Sequence, residues 1–150
     1  MFTLRELTHK PVVAVDSAEQ LGSISGVRID PGTRLITAMV IGGKKGRVVA
    51  REAVRGVTGD VVTLTSADAL HEALDPAEQD LLAGRFDVVK KRVLTTAGFD
   101  VGHVRDCEFD EDGTLTVLLT TTQALPGESL RGIGSYAVIV EHPAEGTHPH

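Results

Sequence analysis

The stretch Leu21-Gly22-Ser23-Ile24 returns eighty residues later as Val101-Gly102-His103-Val104. Carried outward at the same offset, Val27 meets Cys107, Ile29 meets Phe109, Asp30 meets Asp110 and Leu35 meets Leu115. Upstream, Lys10 meets Lys90 and Val13 meets Val93. A second block, Glu52-Ala53-Val54-Arg55-Gly56-Val57, lies over Glu128-Ser129-Leu130-Arg131-Gly132-Ile133 at an offset of 76. Two collinear blocks in one order define an internal duplication. The change of offset places a loss of about four residues in the second copy, around Gly42-Gly43-Lys44-Lys45-Gly46.

The repeated unit reads as β structure. Short runs rich in Val and Ile predict strands over 12–15, 24–29, 35–41, 48–50 and 61–64. The second copy predicts strands near 88–94, 104–109, 115–121, 123–125 and 136–140. Asp30-Pro31-Gly32-Thr33 and Glu111-Asp112-Gly113 carry turn chemistry, with Pro fixing φ and Gly tolerating positive φ. Between the copies the pattern changes. Asp75 is placed to cap a helix that has Pro76 in its first turn, with Glu78 completing a capping box and Gly84 as the stop. A further helical turn or two over 66–74 would set Leu70 and Leu74 on one face. The expected fold is mainly β: two small antiparallel β-barrels in tandem joined by a short helical segment. The units are 1–66 and 86–142, with a connector at 67–85 and a disordered tail at 143–150. A unit of about 70 residues buries a marginal core, so the two are expected to pack together.

Composition narrows the class. Aromatic residues are 3% of the chain and Trp is absent, so the core must be built from branched aliphatics. No run approaches the ~18–20 apolar residues of a membrane span. Charges interrupt Met-Phe-Thr-Leu-Arg-Glu-Leu where a signal peptide needs an apolar stretch. With a single cysteine, Cys107, no internal disulfide forms. These features point to a cytoplasmic protein. A net charge of −6 opposes wholesale phosphate binding, which makes nucleic acid an unfavoured partner.

The repeated block resembles the PRC-barrel family, the barrel of the photosynthetic reaction-centre H subunit and of ribosome maturation factors. The resemblance rests on Lys10-Pro11-Val12-Val13, Leu21-Gly22-Ser23-Ile24, Val27-Arg28-Ile29-Asp30, Thr37-Ala38-Met39-Val40-Ile41, Val48-Val49-Ala50-Arg51-Glu52-Ala53-Val54 and Gly59-Asp60-Val61-Val62. The second copy keeps Val101-Gly102-His103-Val104 and Asp110 and diverges after Leu119. The resemblance implies a barrel used as an interaction module and implies no reaction.

Candidate sites are few. Cys107 falls at an apolar repeat position and reads as an inert core thiol. His103 reads as a surface residue, and His9 and His71 have no sequence neighbour with which to bind zinc. The histidines after Glu141 sit among Pro and Gly, which favours a solvated end over a metal site. Lys90-Lys91-Arg92 is a second basic run. The candidate binding residues are Lys44, Lys45 and Arg47 in the Gly-rich loop, with Arg51 and Arg55 beyond it. That loop lacks the spacing of a P-loop. Asp110-Glu111-Asp112-Gly113 lacks the terminal Glu of a calcium loop. No nucleophile–base arrangement is visible, so the expectation is a non-enzyme with no metal and no cofactor. Three functions follow in order: a protein-interaction or scaffold module, an RNA or ribosome-assembly factor acting through the basic residues, and a small-molecule binder at the groove between the barrels. Another protein is the expected partner, and homodimerisation is open.

Overall fold

Val12 and Ala14 are fully buried while Pro11 and Val13 are only partly covered, the two-residue period of a strand with one face inward. The same alternation builds the whole chain in the computed structural model, which describes residues 1–42, 46–57 and 60–141. A two-residue strand β1 (Phe2–Thr3) and one helical turn α1 (Leu4–Leu7) lead into the first unit. Thr3 and Glu6 cap that turn reciprocally. The first unit holds β2 (Pro11–Ala14), β3 (Gln20–Ile29), β4 (Ile36–Gly42), β5 (Arg47–Ala50), β6 (Val54–Val57) and β7 (Val62–Leu64). After the helix α2 (Pro76–Leu82), the second unit holds β8 (Arg92–Thr95), β9 (Asp100–Phe109), β10 (Leu115–Thr120), β11 (Ala124–Pro126), β12 (Leu130–Ile133) and β13 (Ala137–Val140).

The two sheets have one topology. Their orders are β5-β4-β3-β2-β7-β6 and β11-β10-β9-β8-β13-β12, strand for strand in the same sequence. Each is antiparallel except at one place, where its first strand meets its last in parallel: β2 with β7, and β8 with β13. The barrel-like units are therefore not purely antiparallel. No ladder pairs the end strands β5 with β6, or β11 with β12, among the described residues.

Equivalent residues can be read from the ladders, and they correct the sequence alignment. Val12 lies opposite Val62 as Val93 lies opposite Val138, so β2 and β8 are 81 apart, not eighty. Lys10 thus corresponds to Lys91 and Val12 to Val93. A slip of one residue would have turned buried Val93 outward, since neighbouring side chains in a strand face opposite ways. The offset is 80 at Ile24 and Val104, 79 at Met39 and Leu118, and 76 at Val49 and Leu125. The second unit is shortened in three loops, so Leu35 corresponds to Thr114 and not to Leu115.

Some expected elements shift. The run 88–94 becomes a strand only from Arg92, because Lys90 takes φ +72° and breaks the extended path. His9 does the same in the first unit, with φ +76°. β6 and β12 are additional strands, each with a glycine third, too short to show a period. Over 66–74 only a 3₁₀ turn forms, Ala67–Ala69. The helix at Pro76 is capped by Asp75, whose Oδ1 accepts from the Glu78 N–H at 2.7 Å, and ends at Gly84 with φ +82°. The expected tail at 143–150 lies outside the described residues.

One apolar core runs through both units. It joins Ile24, Met39, Ile41 and Leu64 of the first to Val93, Val104, Phe109 and Leu118 of the second. Cys107 is part of it, fully buried, and burial pushes its thiol up to about 12.

Candidate functional site

The seam between the units follows a pseudo-twofold axis. Ile36 N–H donates to Gly113 O at 3.0 Å, and Leu115 N–H donates to Arg34 O at 2.8 Å. Ile36 corresponds to Leu115 and Arg34 to Gly113, so exchanging the units maps one bond onto the other. Arg34 and Gly113 share a left-handed backbone, φ +64° and +84°. Beside this bridge each unit's leading segment reaches across to the other unit's long strand. Phe2 pairs with Phe109 in a short ladder and stacks on its ring, with centroids 5.4 Å apart. In the reverse direction Phe86, ahead of β8, lies under the Arg28 guanidinium of β3 at 5.4 Å.

Next to the axis the seam opens into a cleft of about 350 Å³, with Arg5, Thr8, His9, Ser25 and Asp87 in its wall. Ser25 and Gly26 are small and leave the space. Their counterparts are Arg105 and Asp106, and there Asp106 Oδ1 accepts from Arg5 N–H at 3.1 Å while Arg105 O accepts from Arg5 Nε at 2.8 Å. Burial raises the Asp87 carboxyl above its ordinary value, and the Lys91 charge partly opposes this. Lys91 is itself lowered by burial. Its Nζ donates to Arg85 O at 2.8 Å and Gly134 O at 2.7 Å, so this lysine of the second basic run ties backbone together.

The connector fastens to the first unit. Val48 and His71 exchange both backbone hydrogen bonds, N–H to O at 2.8 and 3.0 Å, which places one connector residue on the edge of β5. The His71 Nε2 meets a Glu78 carboxylate oxygen, and its Nδ1 lies 3.5 Å from Ala69 O. Both ring nitrogens thus face acceptors, an arrangement suited to the doubly protonated ring. The Glu78 bond raises the His71 pKa, with burial working against it, and the same bond lowers that of Glu78. Leu81 closes the contact by packing on Val40 and Val48.

The sequence-derived candidates are dispersed. Lys44 and Lys45 lie outside the described residues. Arg47 and Arg55 are exposed on β5 and β6. Arg51 donates from Nη1 to Val54 O at 3.3 Å, and its Nε lies 3.5 Å from where a β-carbon on Gly113 would stand. Arg51 is therefore engaged at the seam. Neither the His71–Glu78 pair nor the cleft at Asp87 was legible from spacing. The repeat itself was a signal for the seam, since equivalent turns at Asp30 and Asp110 are where the units meet. Asp110 Oδ1 accepts from Asp112 N–H at 2.9 Å and Thr114 N–H at 3.0 Å, so this acidic run is a hydrogen-bonded turn.

One six-strand order used twice, joined through a self-complementary seam, defines a mainly β protein of two barrel-like units. Its first unit has a family counterpart: residues 1–70 match the model of the PRC-barrel domain. The second unit lies beyond the matched residues. No curated protein matches the chain. Among the described residues no helix is long and apolar enough to cross a membrane.

Proposed function

We propose that the chain is a non-enzymatic protein-interaction module built on two PRC barrels in tandem. The observation that supports this most is the shared strand order of the two units, down to the single parallel pairing in each. Such a duplicated scaffold presents strand edges and loops around a fixed core, which is how small β modules hold partner segments. The test is affinity purification of the full chain from the cells that make it. A partner enriched reproducibly, and lost when the chain is unfolded beforehand, is the expected result. No partner above background would overturn the reading.

A second reading, a small-molecule binder, draws on the seam cleft. Its volume falls in the lower part of the range of ligand pockets, ~300–1,000 Å³, and Asp87 supplies a partly desolvated carboxyl. A ligand-induced rise in Tm abolished by Gly26→Leu would favour it over the first.

A further inference from the structure

β5 ends the first sheet, and only part of its edge is in use. Val48 lies opposite Val40, and Ala50 lies opposite Ala38, without a register shift. Val48 sends its N–H and C=O outward to His71. The alternation of an antiparallel ladder therefore turns the Ala50 N–H outward as well. Ala50 is exposed, and its N–H has no acceptor among the described residues. It opens on a space of about 180 Å³ whose charged walls are Arg28, His71, Asp75 and Glu78. The counterpart of Ala50 in the second unit is Pro126, opposite Val117. Proline has no N–H to offer, so the second edge is blunted and the first is not.

We infer that the β5 edge is a docking site for an extended segment of a partner protein that carries a basic side chain where the connector carries His71. The inference rests on the interaction-module reading and names its surface. The connector is the occupant seen now. It holds the edge by the two backbone bonds of one residue and by the His71 ring on Glu78. An incoming strand reproduces these and adds a bond from the Ala50 N–H. Asp75 and Glu78 face the position from the α2 side, and Arg28 faces it from β3, held over Phe86. The residues of β4 and β5 in this space, Thr37, Ala38, Val48 and Ala50, carry no charge. A lysine or arginine there keeps its charge when His71 loses its own, so the incoming strand gains on the connector as pH rises.

The test uses the full chain and two peptides copying residues 67–75, one with arginine and one with alanine in place of His71, followed by fluorescence anisotropy. The tethered connector competes at a local concentration of about millimolar, so His71→Ala is used to weaken it. The arginine peptide should bind His71→Ala about tenfold more tightly than the alanine peptide does, a difference of ~1.4 kcal/mol. It should bind the native chain better at pH 8.5 than at pH 6. Ala50→Pro, added to His71→Ala, should remove binding. Ala50 has φ −75° and Pro126 has φ −64°, so the substitution copies the second unit at a compatible backbone angle. Should Ala50→Pro fail to fold, Glu78→Gln gives the second check, by making the two peptides equal. Equal binding of both peptides to His71→Ala, binding indifferent to Ala50→Pro in a folded chain, or no binding at all would overturn the inference. So would gel filtration showing that His71→Ala self-associates through the edge and that Ala50→Pro reverses it, which would make a second copy the occupant. A partner found by affinity purification, with these peptides silent, would leave the interaction reading standing and remove only this surface.

Discussion

Leu35 and Thr114 occupy the same position in the two units, and they face each other across an antiparallel bridge. A residue that meets its own counterpart lies beside a twofold axis, as in the isologous interface of a symmetric dimer. Here both halves belong to one chain. The bridge itself carries two backbone bonds, and apolar side chains pack around it. Phe2, Phe109, Ile36 and Leu115 are all nearly or fully buried there.

The first prediction concerns that coupling. Phe109 is fully buried and stacked on Phe2, so Phe109→Ala should cost about 3–5 kcal/mol. Tyr136 is the single tyrosine and belongs to the second unit. In the native chain its fluorescence and the far-UV circular dichroism should report one urea transition, because the core is continuous. Phe109→Ala should separate the two curves. Coincident curves in both proteins would show that the seam does not set cooperativity.

The two repeated glycines should differ in what they tolerate. Gly22 has φ +143°, and a β-carbon there would stand 2.5 Å from the carbonyl oxygen of Gly42. Gly102 has φ +103°, and its β-carbon would press on the Thr121 hydroxyl, a side-chain group that can give way by releasing its hydrogen bond from the His103 N–H. Strain of the left-handed backbone alone costs about 1–3 kcal/mol. Gly22→Ala should therefore lower the urea midpoint more than Gly102→Ala does, and Thr121→Ala should partly rescue only the latter.

The His71–Glu78 pair should leave a mark on stability against pH. His71 is raised in the folded chain, so its contribution is full below its ordinary value of 6.5 and is lost as pH rises through the raised one. Glu78 is lowered, so its contribution is present above its ordinary 4.5 and is lost as pH falls through the lowered value. The pair thus stabilises most between about pH 4.5 and 6.5. The Tm difference between the native chain and Glu78→Gln should peak in that window and shrink above it. A difference independent of pH would show that the ring is not charged against Glu78.

Cys107 should be silent to thiol reagents in the native state. Its thiol is pushed up to about 12 and is fully buried, so almost no thiolate exists near neutrality. Labelling by a disulfide reagent should follow global unfolding, with a rate that rises with urea in step with the loss of structure. Rapid labelling without denaturant would place this strand at a locally opening site.

The amino-acid sequence alone determined the repeated strands, the aspartate turns at Asp30 and Asp110, the helix capped by Asp75 and the core character of Cys107. These are local matters: side-chain period, turn chemistry and the satisfaction of free N–H groups act within a few residues. The tertiary structure decided the rest. The one-residue slip between β2 and β8 appears only when Val12 and Val93 are seen beside Val62 and Val138. The parallel pairing, the bridge from Leu35 to Thr114 and the clasp of His71 on Glu78 join residues whose meeting depends on how distant backbone edges are brought together. Periodicity along a strand fixes which face is apolar. It does not say which other edge that strand will find, and that choice is made by the packing of both units into one core.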